Sequence, residues 1–164
     1  MKKSPLIILM LLFTTCVAYG NDLETMYREV AQEFNLDPSY LKLIAILETG
    51  EKPFTINCDK KAYFFNTRKG AEEFLSMIPK RQSVDIGLMQ IRSTWFKKIG
   101  IDRTEGLDPK YSLKIAAILL KDIFGRHGES YESLKWYHSS KKSFQDDYQR
   151  RIKRVVDTGN HRVY

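Results

Sequence analysis

The ten residues from Leu41 to Gly50, LKLIAILETG, constrain this chain more than any others: they put an acid on an apolar helix face and then stop the helix. Leu41, Ile44, Ala45 and Leu47 recur at the spacing of a buried helical stripe, and Glu48, four residues after Ile44, falls on the same stripe. Gly50 is a helix-ending residue, so Glu48 belongs to the last turn, at the negative end of the helix dipole. Burial and dipole both disfavour the charged form of a carboxyl group. A carboxylic acid that keeps its proton near neutrality is what general-acid attack on a glycosidic oxygen requires. On position alone, the alternative is a helix-end glutamate that turns aside to solvent.

Residues 1–20 read as a secretory signal, with Lys2 and Lys3 as the charged start, Pro5 to Val17 as the apolar core and Ala18-Tyr19-Gly20 as a small-x-small cleavage site. The mature chain is expected to be exported to the periplasm as one domain, residues 21–164. The apolar core falls short of the ~20 residues of a spanning helix, so no stable membrane span is expected after cleavage. The formal charge of +7 suits nucleic acid, an anionic membrane or an acidic cell-wall polymer without selecting among them. Cys16 lies inside the signal in a poor lipidation box. Cys58 is then the sole cysteine, which excludes an internal disulfide and any cysteine-based metal site. No metal or cofactor is expected.

Leu23, Met26, Tyr27, Val30, Ala31 and Phe34 predict a helix over residues 22–34, capped by Asn21 or Asp22, and Asp37-Pro38 opens the helix that carries Glu48. The pattern weakens from Glu51 to Ser83, where Tyr63, Phe64 and Phe65 precede a short helix, Gly70 to Ile78, closed by Pro79. Asp85 to Ile91 reads as a turn into a helix through Thr94, Trp95 and Phe96. Ser112 is expected to cap a strongly apolar helix that ends at Gly125. A short helix from Tyr131 to Tyr137 and a last one from Phe144 to Asp157 follow. Ser143 and Asp146 form a capping box for that last helix, and Arg150, Arg151, Lys153 and Arg154 load its outer surface. No segment shows sustained β alternation. The expected fold is mostly α, a single lobe of about seven short helices around the apolar one.

Three islands, in order, resemble the signature of the soluble lytic transglycosylases, enzymes of lysozyme-like fold that cleave peptidoglycan glycan strands. Ile46-Leu47-Glu48-Thr49-Gly50 is similar to the family's catalytic glutamate followed by serine, Gly87-Leu88-Met89-Gln90-Ile91 to its Gly-Leu-Met-Gln motif, and Trp136-Tyr137-His138-Ser139 to its Ala-Tyr-Asn-Ala. Leu107-Asp108-Pro109 before an alanine-bearing helix also resembles the family, as does Tyr148 late in the chain. With its small size and export signal, the chain is most similar to the specialised members that accompany type III and type IV secretion or conjugation machines. The resemblance implies a lysozyme-like domain with Glu48 as catalyst and Thr49, Gly87, Leu88, Met89, Gln90, Tyr137, His138 and Tyr148 as substrate-binding residues. Glycan strands are the implied partner, together with components of a secretion, conjugation or pilus apparatus.

Each island also has a physical reading. Gly87 permits a backbone conformation closed to other residues and lets a sugar approach the main chain. Met89 offers a flexible apolar surface to a sugar face, with plain core packing as the alternative, and Gln90 both donates and accepts hydrogen bonds. Tyr137 can bond toward Glu48 or stack on a sugar; Tyr148 does the same or serves as a core-to-surface tyrosine. Two departures stand out: Thr49 keeps a hydroxyl able to orient the carboxyl group, and His138 replaces an amide with a group whose charge depends on pH. The interval between Glu48 and Gly87 is longer than the family's usual loop. This insert, about residues 51–83, walls the site, binds a partner or is a surface elaboration, and deleting Asp59 to Met77 is expected to spare bond cleavage.

The resemblance implies a mechanism with one acid, closing a 1,6-anhydro ring on N-acetylmuramic acid. The competing readings are a water-using lysozyme-type hydrolase, with Asp59 or preferably Asp85 as second carboxylate, and a peptidoglycan-binding scaffold without activity. Nucleic-acid binding rests on the basic last helix alone and is not expected.

Overall fold

The computed structural model describes residues 22–163; the signal-like segment lies outside the described residues. In chain order the elements are α1 (residues 22–34), α2 (Pro38–Thr49), β1 (Thr55–Cys58), β2 (Lys61–Phe64), α3 (Arg68–Met77), β3 (Asp85–Ile86), β4 (Ile91–Arg92), α4 (Ser93–Ile99), a 3-10 turn Arg103–Leu107, α5 (Pro109–His127), a second 3-10 turn Glu132–Leu134, α6 (Lys135–His138) and α7 (Lys142–Thr158). The fold is mostly α, as expected, with a small sheet that was not.

α2 forms as its sequence requires. The Asp37 carboxylate accepts from the Ser39 amide at 2.8 Å, Pro38 fills the first turn, and Gly50 ends the helix at φ 59° with its amide turned back to the Ala45 and Ile46 carbonyls. Leu41, Leu43, Ile44 and Ala45 are fully buried. α5 runs through the core, with Leu113, Ala116, Ala117 and Leu120 inaccessible, and Lys110–Glu29 and Lys114–Glu33 ion pairs join its exposed side to α1.

The ends of α5 and α7 correct the sequence reading. Asp108, not Ser112, caps α5, accepting from the Tyr111 amide at 2.8 Å with Pro109 in the first turn. The helix then passes through Gly125 and ends at Gly128. A mid-helix glycine costs only about 1 kcal/mol relative to alanine, and buried Ile123 and Phe124 hold the last turns in place. α7 begins at Lys142 without a side-chain cap. Asp146 pairs with Lys142 at 3.2 Å, so the expected box with Ser143 does not form.

The sheet has the order β2-β1-β3-β4, every neighbouring pair antiparallel. Its strands are two to four residues long, too short for alternation to show. Asp59 and Lys60 make the β1–β2 turn at φ 52° and 65°, positive at both central positions as a tight hairpin demands but without the glycine that would signal it. Ile56 of β1 faces Ile86 of β3 across the sheet, both fully buried. Ala71, Leu75 and Ile78 add to the same core, and the Arg103 guanidinium donates to the Leu75 carbonyl at 2.8 Å and to the Ile78 carbonyl at 2.5 Å. The segment from 51 to 83 is therefore built into the domain and is no surface elaboration.

Candidate active site

Glu48 stands in the last turn of α2 with its side chain 12% exposed, on the inward stripe as the periodicity predicted. The neighbouring Thr49 hydroxyl faces the interior, 3.1 Å from the Ala45 carbonyl and 3.0 Å from the Leu88 carbonyl. Thr49 therefore ties α2 to the turn between β3 and β4; the expectation that its hydroxyl orients the carboxyl group is not met. That turn, Gly87 to Gln90, closes through the Gln90 amide on the Gly87 carbonyl at 3.2 Å, and the Gly87 amide donates to the Thr55 carbonyl of β1 at 2.7 Å.

Gly87 has φ 78°, and a Cβ there would lie 1.8 Å from the Gly106 carbonyl oxygen. The space reserved for a sugar in the sequence reading is filled by the protein's own 3-10 turn. Leu88 and Met89 are wholly buried, so Met89 packs in the core and offers no surface to a sugar. Its backbone does more: the Met89 amide donates to the Ser112 hydroxyl at 3.2 Å, and the Met89 carbonyl accepts from the Tyr137 hydroxyl at 2.8 Å. Gln90 is half-buried, with φ 48°, and its side-chain amide donates to the Gly87 carbonyl at 2.9 Å.

From the other side, α6 and α7 close on Glu48. Burial, together with the charges of Glu48 and Asp85, pushes the Tyr137 phenol well above its ordinary pKa. His138 is exposed on one side and brings Nδ1 to 3.4 Å from Glu48 Oε1. Its ring stacks on Tyr148 with centroids 4.6 Å apart and planes 7° from parallel. Tyr148 is 1% exposed; burial, then the charge of the nearby Glu48 and a hydrogen bond between that carboxyl group and the phenol, raise its pKa well above the phenol range. Gln145 fixes the chain after His138 by donating to the Ser139 carbonyl at 2.9 Å.

Arg151 corrects the picture of a uniformly basic outer face on α7. It turns inward, donates to the Leu47 carbonyl at the end of α2 and lies 5.5 Å from the centre of the Tyr148 ring. A guanidinium at a helix C-terminus is favoured by the dipole. Spacing alone signals this role: Arg151 follows buried Tyr148 by three residues and shares its helical face. On the outer face, Lys142, Arg150 and Lys153 each pair with an aspartate of α7. Ser112, read as a cap, instead accepts from the Met89 amide, and no spacing in the sequence signals that role.

Asp85 of β3 lies close enough to act on Tyr137, but its carboxylate is engaged by Arg92 Nε at 3.1 Å across the β3–β4 pair. The site thus gathers Glu48, Tyr137, His138 and Tyr148 around one point, and Thr49, Gly87, Leu88 and Met89 hold that point together from behind. Such an arrangement suits proton transfer by a single carboxyl group lodged among aromatic rings.

The match of the Transglycosylase SLT domain family to residues 25–154 takes in every one of these side chains, and the chain belongs to that family. It is also similar to protein virB1 of Agrobacterium fabrum (strain C58 / ATCC 33970), 28% identical over 129 residues that make up 73% of this chain and 52% of the relative. The chain spans about half the length of that curated relative. No solved structure matches it. Among the described residues, no helix is long and apolar enough to cross a membrane.

Proposed function

We propose that this chain is a peptidoglycan lytic transglycosylase that cleaves the β-1,4 bond between N-acetylmuramic acid and N-acetylglucosamine. The observation that carries the reading is a single mostly buried carboxyl group, Glu48, facing His138 and the Tyr148 ring, within a family of transglycosylase domains. Glu48 gives its proton to the glycosidic oxygen, and the C1–O bond breaks as the N-acetylglucosamine leaves. The substrate's own acetamide supports the positive charge left at C1. Glu48, now a carboxylate, takes the proton of the muramic acid 6-hydroxyl as that oxygen bonds to C1. The product carries a 1,6-anhydro ring, no water is consumed, and Glu48 ends the cycle protonated as it began. Half-buried Gln90 and His138, which is exposed on one side, are read as the residues that meet the substrate, with Tyr148 behind the imidazole.

A water-using hydrolase is the second reading. The proximity of Asp85 to Tyr137 favours it, and the engagement of Asp85 by Arg92 counts against it. The proposed setting is the periplasm, reached through cleavage of residues 1–20, where the mature domain opens glycan strands locally for a secretion, conjugation or pilus apparatus.

Mass spectrometry of soluble products from isolated peptidoglycan tests the reaction, with Glu48→Gln as the control. Anhydro-muropeptides from the wild type and none from Glu48→Gln are expected. Products with reducing ends would favour the Asp85 hydrolase, and undiminished cleavage by Glu48→Gln would remove the assignment of Glu48.

A further inference from the structure

We propose that His138 is a positioning residue that biases the charge of Glu48, drawing it towards the carboxylate form when the imidazole is protonated; this rests on the transglycosylase reading for its consequence but not for its chemistry. The geometry is specific to this side chain. His138 Nδ1 approaches Glu48 Oε1 to 3.4 Å from α6, while the other wall of the imidazole is fixed by the stack on Tyr148 of α7. The Glu48 carboxyl group is largely withdrawn from water at 12% exposure, whereas His138 at 36% reaches solvent.

The groups around the imidazole define what its protonation does. From α2 it faces Glu48, and from α7 the Tyr148 ring and, beside that ring, the Arg151 guanidinium. On its own helix, the Tyr137 hydroxyl is committed to the Met89 carbonyl, and Trp136 stacks on His127 of α5. Glu132, from the preceding 3-10 turn, is taken by Lys135. Asp85 acts on Tyr137 and is paired with Arg92. Among the described residues, Glu48 is therefore the one carboxylate that meets the imidazole directly. An imidazolium is stabilised by that carboxylate and by the aromatic face beneath it.

Proton arithmetic fixes the sign. When the pair holds one proton, it resides either on His138, leaving Glu48 ionised, or on Glu48, leaving the imidazole neutral. A positive imidazole 3.4 Å from the carboxyl group favours its ionised form by opposite-charge attraction, so the first arrangement gains on the second and a smaller share of Glu48 carries the proton it gives. A neutral side chain at position 138 removes that attraction, so Glu48 takes up a proton from solvent more readily at the same pH. Mild acid, which arms a lone glutamate, is thus blunted here: His138 intercepts the proton and limits cleavage as the pH falls from 8 towards 5.

The test compares wild type with His138→Gln and His138→Asn, using two readouts. The first is the carbon-13 resonance of the Glu48 side-chain carboxyl group followed by NMR against pH in the substrate-free protein. The wild type is expected to show a second inflection that reports the imidazole's change of charge, and both variants to lack it. The second is the rate of solubilisation of isolated peptidoglycan from pH 5 to 8. Here the ratio of variant to wild-type rate is expected to rise about ten-fold on going from pH 8 to pH 5, one pH unit's worth of carboxyl ionisation. A wild-type Glu48 resonance with no response to the imidazole, or rates that keep a constant ratio across pH, overturns the proposal. A coupled NMR titration in a wild type that solubilises nothing keeps the pairing and removes the transglycosylase reading.

Discussion

A single methyl group at Gly87 is more than the structure can hold. The Cβ would sit 1.8 Å from the Gly106 carbonyl oxygen, an unyielding backbone atom, and φ 78° is itself unfavourable for any side chain. Gly87→Ala is expected to cost about 3 kcal/mol or more in urea-induced unfolding. Gly50→Ala, at φ 59° but with nothing within 4 Å, is expected to cost only about 1 kcal/mol. Equal stabilities for the two variants would show that the 3-10 turn moves aside. The contrast also marks what was legible at this scale. Glu48 was readable because its stripe and its terminating Gly50 are local, whereas the roles of Thr49, Gly87 and Met89 were not. Their partners are distant in sequence: Thr49 meets Leu88 39 residues on, and the Met89 carbonyl receives Tyr137 from 48 residues away.

Among elements, the hairpin and α3 carry the main revision. Ala71 and Leu75 are buried at 0–1% exposure, so removing Asp59 to Met77 strips side chains from the core together with the helix that Arg103 caps and the strand that pairs with β1. That deletion is expected to yield a chain without a cooperative thermal transition on circular dichroism, the reverse of what the sequence suggested. Arg151→Met isolates the second joint, between α7 and the end of α2. Losing a charged donor to the Leu47 carbonyl is expected to cost about 1.5–3 kcal/mol, measured by chemical unfolding. The helices themselves were legible because 3.6-residue periodicity needs no tertiary information. The strands were not, since two to four residues carry too little pattern, and the start of α5 was set at Ser112 although Asp108-Pro109 repeats the cap-and-proline signature read at Asp37-Pro38.

For the molecule as a whole, buried titratable rings limit stability on both sides of neutrality. His161 is 4% exposed, packs edge-on against Tyr131 and has an unpartnered Nδ1; burial lowers its pKa below the ordinary imidazole value. The unfolded chain then binds the proton first as pH falls, so this contribution to stability is whole above about pH 6.5 and is lost as pH drops through the lowered folded value. The melting temperature is expected to fall from pH 7 to pH 5, and to fall less in His161→Gln. Tyr137 and Tyr148 act at the other limit. Their phenol pKa values are raised, so their contribution is complete below about pH 10 and is lost as the unfolded chain ionises above it.

The three ties that assemble the site, from Arg151, Thr49 and Tyr137, all end on main-chain oxygens, those of Leu47, Leu88 and Met89. An amide carbonyl survives any substitution of its own residue. The receiving positions are thus free to drift among apolar side chains of like volume, while the three donors are not, and tolerance to mutation around Glu48 will divide along that line and not by nearness to the acid.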